Sequence, residues 1–222
     1  MPTAARSATS TGSVDCVIWD WNGTLLDDLW LALEVANGML ARRALPTMDR
    51  DRYREIFDFP VEQYYRRAGF DFEHEPFSAL AREFIDGYNA RVGECGLQPA
   101  AHDTLERFAG AGVPQYVLSA SRQSSLEEAI SAAGIAEYFE RLSGLSDHYA
   151  VSKRSAGAAL VETIPVAAHR AVLVGDTVHD AEVAEAMGVP CVLIAAGHQS
   201  QQRLCRAGVP VFSSLDRWIA SL

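Results

Sequence analysis

Residues 14–25 read Val-Asp-Cys-Val-Ile-Trp-Asp-Trp-Asn-Gly-Thr-Leu. An apolar run, Val14–Trp19, stops abruptly at a carboxylate, Asp20. Apolarity without polar alternation is what a strand shows when helices cover both of its faces. Outward from this stretch the pattern recurs at Tyr116–Leu118, Ala171–Val174 and Cys191–Ala195, and more weakly at Val209–Phe212. Between the runs lie stretches with helical spacing, Ser124–Ala133, Ser155–Glu162 and Ala181–Met187. Gly134, Gly188 and Gly208 follow helical stretches at the position where a left-handed C-cap is wanted. Strand–helix alternation of this kind predicts an α/β fold, a Rossmann-like parallel sheet with helices on both faces.

Residues 29–98 break the alternation. The segment is aromatic and charged, with helical spacing at Leu31/Val35/Met39 and Phe77/Leu80/Phe84/Tyr88, and no convincing strand run. Pro60 and Pro76 fall where first-turn residues of helices are expected. The expected organisation is a disordered tail over 1–13, a core domain over 14–28 and 99–222, and an inserted all-helical cap domain over 29–98. The first 13 residues are small, polar and Ser/Thr-rich and lack the apolar centre of a signal peptide.

With 222 residues the chain can bury a full core without a disulfide or metal staple. The 19 basic and 29 acidic residues give a formal charge of −10, which disfavours a nucleic-acid partner because phosphate backbones demand clustered positive charge. No apolar stretch reaches the length of a membrane span. Cys16, Cys95, Cys191 and Cys205 form no metal-binding spacing and read as free thiols of a reducing cytoplasm. All but one of the basic residues are Arg, and Lys153 is the only lysine. A lysine that survives so strong an arginine bias invites the question of why Arg could not replace it.

Asp20, Ser119 and Asp176 share one context: each follows an apolar strand run at once or after a single glycine. In open parallel sheets, ligands bind just beyond the carboxyl ends of the strands. One strand-end Asp would more often be a turn former or helix cap. Three polar groups on three strands, with Asp180 four residues after Asp176, favour a shared crevice.

The order Asp20-Trp21-Asn22-Gly23-Thr24, strand-end Ser119, Lys153 and Gly175-Asp176-x-x-x-Asp180 resembles the haloacid dehalogenase superfamily, in particular its phosphoglycolate-phosphatase-like branch with a helical cap. The resemblance spans the chain after the tail. It implies that Asp20 is a nucleophile forming an aspartyl-phosphate, that Ser119 hydrogen-bonds the phosphoryl group, and that Lys153 neutralises both. It implies Mg²⁺ held by Asp20, the Asn22 carbonyl and Asp176, with Asp180 as a further ligand or a supporting partner. Phosphate contacts are implied for Asn22, Gly23, Thr24, Ser119, Ala120 and Lys153.

One position departs from the family pattern. A second Asp, which protonates the leaving alkoxide, normally stands where this chain has Asn22. A backbone carbonyl still serves a metal, but an amide side chain cannot transfer the proton, which is worth roughly 10²–10⁴-fold. Three readings follow: protonation through water or another residue, His198 and His179 being candidates; restriction to good leaving groups; or a phosphate-binding protein of low turnover. A dehalogenase also lacks that Asp, but it would leave Asp176 and Asp180 unneutralised beside Asp20. Phosphonate cleavage through a Schiff base needs a lysine in the cap, and there is none. Arg66, Arg67 and Arg91 are candidates to reach a substrate carboxylate. The expected protein is a cytoplasmic, Mg²⁺-dependent phosphatase of small phosphorylated metabolites, phosphoglycolate-like, acting as a monomer or homodimer with no nucleic-acid or membrane partner.

Overall fold

A computed structural model describes residues 14–145 and 153–222; the tail expected at 1–13 lies outside the described residues. Six strands form one parallel sheet: β1 (Cys16–Trp19), β2 (Gln115–Arg122), β3 (Arg141–Leu145), β4 (Ala171–Gly175), β5 (Cys191–Ile194) and β6 (Val211–Phe212). The strand order is β3-β2-β1-β4-β5-β6, so the chain reverses direction across the sheet between β1 and β4. That reversal opens the crevice in which doubly wound sheets bind their ligands.

The continuous apolar run of β1 has the expected cause. Val17 and Trp19 pack into one buried cluster with Leu105, Leu126, Ile130 and Trp218; Cys16 and Ile18 pack into a second with Leu160, Val183 and Met187 on the opposite face. The first face is covered by α5 (Ala101–Gly110), α6 (Gln123–Ala132) and α10 (Leu215–Ile219), the second by α7 (Lys153–Val161) and α8 (Val178–Met187). α8 ends at Gly188 with φ +69°, the left-handed cap that its sequence predicts. The short helix α9 (Gln201–Leu204) follows β5.

Strand β3 was not expected. Its sequence, Arg-Leu-Ser-Gly-Leu, lacks an apolar run because, among the described residues, it pairs only with β2 at the edge of the sheet. An edge strand is not buried on all sides and need not read as a buried one.

Between β1 and α5 the chain forms four helices: α1 (Leu29–Arg42), α2 (Arg50–Ile56), α3 (Val61–Ala68) and α4 (Phe77–Asn89). They enclose an apolar cluster of their own, including Leu29, Ala36, Met39, Tyr53, Tyr64, Tyr65 and Leu80. Pro60 and Pro76 stand one position earlier than expected, immediately before α3 and α4. Val35, expected on the buried stripe of α1, sits at its margin and packs over Gly87 of α4. Among the described residues no helix is long and apolar enough to cross a membrane.

The indole of Trp19 is fully buried between Phe108 and Trp218, and its Nε1 donates to Gln115 Oε1 at 3.0 Å. Gln115 Nε2 in turn donates to the Leu105 carbonyl at 2.9 Å. Gln115→Ala leaves the Trp19 indole N–H buried without an acceptor and removes a second donor from the Leu105 carbonyl. It is expected to lower unfolding free energy by about 1–3 kcal/mol in urea titrations, with the m-value unchanged.

Candidate active site

Two adjacent strand ends deliver Asp20 and Asp176 to one place. Asp20 follows β1 directly, Asp176 follows β4, and Ser119 lies within β2; all three are buried. The Asp20 amide donates to the Val174 carbonyl at 2.8 Å, so the chain is still in register with β4 where the first carboxylate emerges. Lys153, the first residue of α7, puts Nζ against Asp20 Oδ1 and, at 2.6 Å, against Asp180 Oδ1. Thr24 Oγ1 donates to Asp20 Oδ2 at 3.1 Å, with Asp176 Oδ1 at 3.3 Å. Ser119 Oγ accepts from the Ser121 amide at 3.0 Å. Ala120 is exposed beside it.

Asp180 has a local reason to be where it is. Thr177 caps α8 and Asp180 completes a capping box: the Thr177 amide and hydroxyl both donate to Asp180 Oδ2, at 3.0 and 2.6 Å. The Asp176 amide reaches the same oxygen at 3.2 Å. One Asp180 oxygen therefore serves the helix start and the other holds Lys153.

Oxygens of Asp20, Asp176 and Asp180 lie within 4.8 Å of one another, all buried. Burial pushes Asp20 up to about 6, with Asp180 adding to the shift and Lys153 opposing it. Burial likewise lifts Asp176 to about 8, with Asp20 and Asp180 reinforcing it and His198 opposing it. For Asp180 burial acts upward too, but the Lys153 charge and the Thr177 bonds outweigh it and hold the carboxyl below its usual range. Burial would lower Lys153; the two carboxylates overcome that and hold the ammonium well above its ordinary value.

Three crowded carboxylates facing one ammonium, with Asp176 left so hard to ionise, are the donor set a hard divalent cation takes. The packing suits such a use. A Cβ at Gly23 (φ +75°) or at Gly197 would strike Asp176 Oδ2, so two glycines let backbone close around that carboxylate. The residues present fit a metal.

The position that departs from the family pattern is firmly held. Asn22 Nδ2 donates to Asp28 Oδ2 at 3.0 Å and to Tyr88 Oη at 2.8 Å, and Oδ1 accepts from Ser121 Oγ at 2.8 Å. Of the two candidate histidines, His179 is half-buried outside the carboxylate cluster, stacked on Phe59 with Nδ1 3.3 Å from Glu182. His198 is buried in the site: its amide donates to Asp176 Oδ2 at 2.5 Å, Nε2 meets Asp28 Oδ1 at 3.2 Å, and Nδ1 meets Tyr53 Oη at 3.0 Å. Burial alone would depress the imidazole, but the adjacent Asp28 charge and hydrogen bond lift it to about 9. Asp28 would likewise be raised by burial, and the His198 charge together with bonds from His198, Tyr88 and Asn22 holds it low instead.

Arg66, Arg67 and Arg91 are engaged elsewhere, in surface pairs with Glu62, with Asp58, and with Glu34 and Glu94. A different arginine of the helical insertion reaches the core. Arg54 donates to the carbonyls of Ala195 and Gln199, and Gln199 Nε2 returns a bond to the Phe57 carbonyl at 3.0 Å. Arg203 adds bonds to the carbonyls of Glu55 and Phe57 and a 3.2 Å pair with Asp58. Tyr53, Tyr88, Arg54 and Asp28 had no distinguishing sequence signal. Tyr88 reads only as the last residue of a helical apolar stripe.

Residues 17–194 match the family model described as haloacid dehalogenase-like hydrolase. The chain belongs to that family. It is 29% identical over 193 residues to a phosphoglycolate phosphatase of Caulobacter vibrioides, covering 83% of this chain and 81% of the relative. It is 26% identical to a phosphoglycolate phosphatase of Mesorhizobium japonicum, covering 82% and 83%. Among solved structures, a haloacid dehalogenase-like family hydrolase from Streptococcus pneumoniae superimposes with a TM-score of 0.80 at 20% identity, covering 94% of this chain and 98% of that one. CbbY from Rhodobacter sphaeroides, solved in complex with phosphate, gives 0.70 at 19% identity, covering 91% and 95%.

The raised carboxyls set a pH dependence for the metal-free protein. Asp20 and Asp176 keep protons up to about pH 6 and about pH 8, where unfolded carboxylates have lost theirs, so folding stability falls as pH rises through that interval. His198 acts in the same direction: its contribution is full below pH 6.5 and lost as pH rises through about 9. In chelator, the thermal midpoint is expected to fall between pH 5 and 9, and Asp176→Asn to make the fall shallower. A midpoint that rises over this range in both proteins would contradict the charge arrangement.

Proposed function

We propose that the chain is a cytoplasmic, Mg²⁺-dependent phosphatase of small phosphomonoesters that works through an aspartyl-phosphate on Asp20. The observation that carries this reading is the buried Lys153 ammonium shared by Asp20 and Asp180, with Asp176 within reach at the neighbouring strand end. A protein that only binds phosphate has no use for a carboxylate held in this way beside a cation site. Phosphoglycolate-like esters are the first substrates to consider, because the relatives named above are phosphoglycolate phosphatases.

Asp20, Asp176 and the Asn22 carbonyl would hold Mg²⁺, and Asp180 supports the site by fixing Lys153. When bound, the cation offsets negative charge on the phosphoryl oxygens and on the carboxylates around them. The chain's own residues do the rest. An Asp20 oxygen attacks phosphorus as the bond to the ester oxygen breaks, and the alkoxide departs, taking a proton from water. Water then attacks the acyl phosphate, releasing phosphate and restoring Asp20. Lys153 neutralises the nucleophile and transferred group as a compact point charge that a planar guanidinium cannot copy. Ser119 and the backbone around Asn22, Gly23, Thr24 and Ala120 would hold the phosphoryl oxygens. The helices α1–α4 act as a cap that shields the site from water.

Because Asn22 offers no proton to the leaving oxygen, esters of acidic alcohols should react fastest. Mg²⁺-stimulated release of phosphate is expected from 4-nitrophenyl phosphate, with slower release from phosphoglycolate. No Mg²⁺-stimulated release from either ester by folded protein would sink the hydrolase reading. Asn22→Asp should raise turnover of the alkyl ester more than that of the aryl ester, by up to about 10²-fold. Lys153→Arg, which keeps the net charge, should lower kcat by roughly 10²-fold or more.

A further inference from the structure

Asp28 is 1% exposed and stands at the N-cap position of α1, yet its side chain makes no capping bond to the helix. An aspartate at that position ordinarily accepts from the first turn. Here both oxygens turn the other way and each takes two donors. Oδ1 accepts from the Gly23 amide at 2.7 Å and meets His198 Nε2 at 3.2 Å; Oδ2 accepts from Asn22 Nδ2 at 3.0 Å and Tyr88 Oη at 2.6 Å. Two of these donors belong to the loop that carries Asp20. The other two lead into the helical insertion: Tyr88 directly, at the end of α4, and Tyr53 of α2 through the opposite nitrogen of His198.

We propose that Asp28 is a positioning residue through which the helical insertion sets the geometry of the catalytic loop. This rests on the hydrolase reading above. A fully buried carboxylate is tolerated only while its donors are in place. Removing the Tyr88 hydroxyl takes one of the two donors from Oδ2, and removing the Tyr53 hydroxyl leaves His198 on Oδ1 but unties its other nitrogen. Gly23 cannot drift without consequence, because at φ +75° it packs against Asp176 and the His198 ring. The Asn22 amide is fixed to Asp28 and Tyr88 at once, so the insertion, the loop and the carboxylate form one hydrogen-bonded unit. With α4 docked, the segment bearing the nucleophile is held in a single arrangement; with it undocked, that segment loses one of its fixed points.

The test combines kinetics on 4-nitrophenyl phosphate with amide hydrogen exchange. Tyr88→Phe keeps the ring and removes only the hydroxyl. It should lower kcat about 10-fold, with KM within about 3-fold and the thermal midpoint within a few degrees of the parent. Asp28→Asn should lower kcat about 10²-fold, and the double variant should be no slower than Asp28→Asn alone, because both changes act on one carboxylate. Exchange at the Gly23 amide should quicken about 10-fold in Tyr88→Phe, while amides of β4 stay protected. Unchanged Gly23 exchange in Tyr88→Phe overturns the proposal, as do losses in kcat that add. If the parent turns over neither ester, the hydrolase reading fails and the exchange measurement alone decides the role of Asp28.

Discussion

Everything in the crevice answers to one electrostatic constraint: three buried carboxylates, with oxygens within 4.8 Å of one another, face a single ammonium. Lys153 touches Asp20 and Asp180 but leaves Asp176 to the His198 amide and the Thr24 hydroxyl. Ions buried in this way cost several kcal/mol each unless they are paired and hydrogen-bonded. The surrounding structure supplies those bonds from several directions: a capping box behind Asp180, a threonine beside Asp20, and two glycines that let backbone approach Asp176. What the protein itself does not supply is enough positive charge, and that deficit is the physical case for a cation.

The fold was readable in sequence wherever burial on both sheet faces forces a continuous apolar run. β1, β4 and β5 announce themselves for that reason. β3 is silent, since an edge strand with one neighbour can begin with Arg and carry Ser and Gly. The site was readable to the extent that its chemistry sits on strand ends in a recognisable order. Asp20, Lys153, Asp176 and Asp180 converge because the parallel topology places the ends of β1 and β4 side by side on one rim. The second layer was not readable. Asp28 and Tyr53 carry no signal of their own, Tyr88 reads only as a member of a helical apolar stripe, and the arginines singled out in the insertion prove to be surface partners of Glu and Asp. Distinguishing a tyrosine whose hydroxyl faces a carboxylate from one that only fills space requires the relative placement of two segments 60 residues apart.

The helical insertion is bound to the core through backbone as much as through side chains. Arg54 and Arg203 each bridge the junction by donating to main-chain carbonyls, and Gln199 returns a bond to Phe57. Guanidinium groups suit this task because each terminal nitrogen carries two N–H donors, and here one nitrogen of each arginine serves two carbonyls while the group stays charged at any ordinary pH. Bonds to carbonyls specify where a loop sits without specifying which side chains it bears. These bonds fix the path of the loop after β5 without naming its side chains, except at Gly197, which packs against Asp176, at His198, whose ring is held at both nitrogens, and at Gln199, whose amide reaches Phe57.

The register between β1 and β4 has a further consequence. Trp19 pairs with Val174, and the hydrogen bond from the Asp20 amide to the Val174 carbonyl continues that ladder to the residue bearing the first carboxylate. Adjacent strands lie about 4.8 Å apart whatever their side chains. The gap between the first and fourth strand ends is thus set by the peptide backbone, as a ruler is set by its graduations, and not by packing that could drift. A lineage of such proteins could exchange helices, loops and leaving-group pockets freely, while the span between its two strand-end carboxylates stayed tied to the pitch of the sheet.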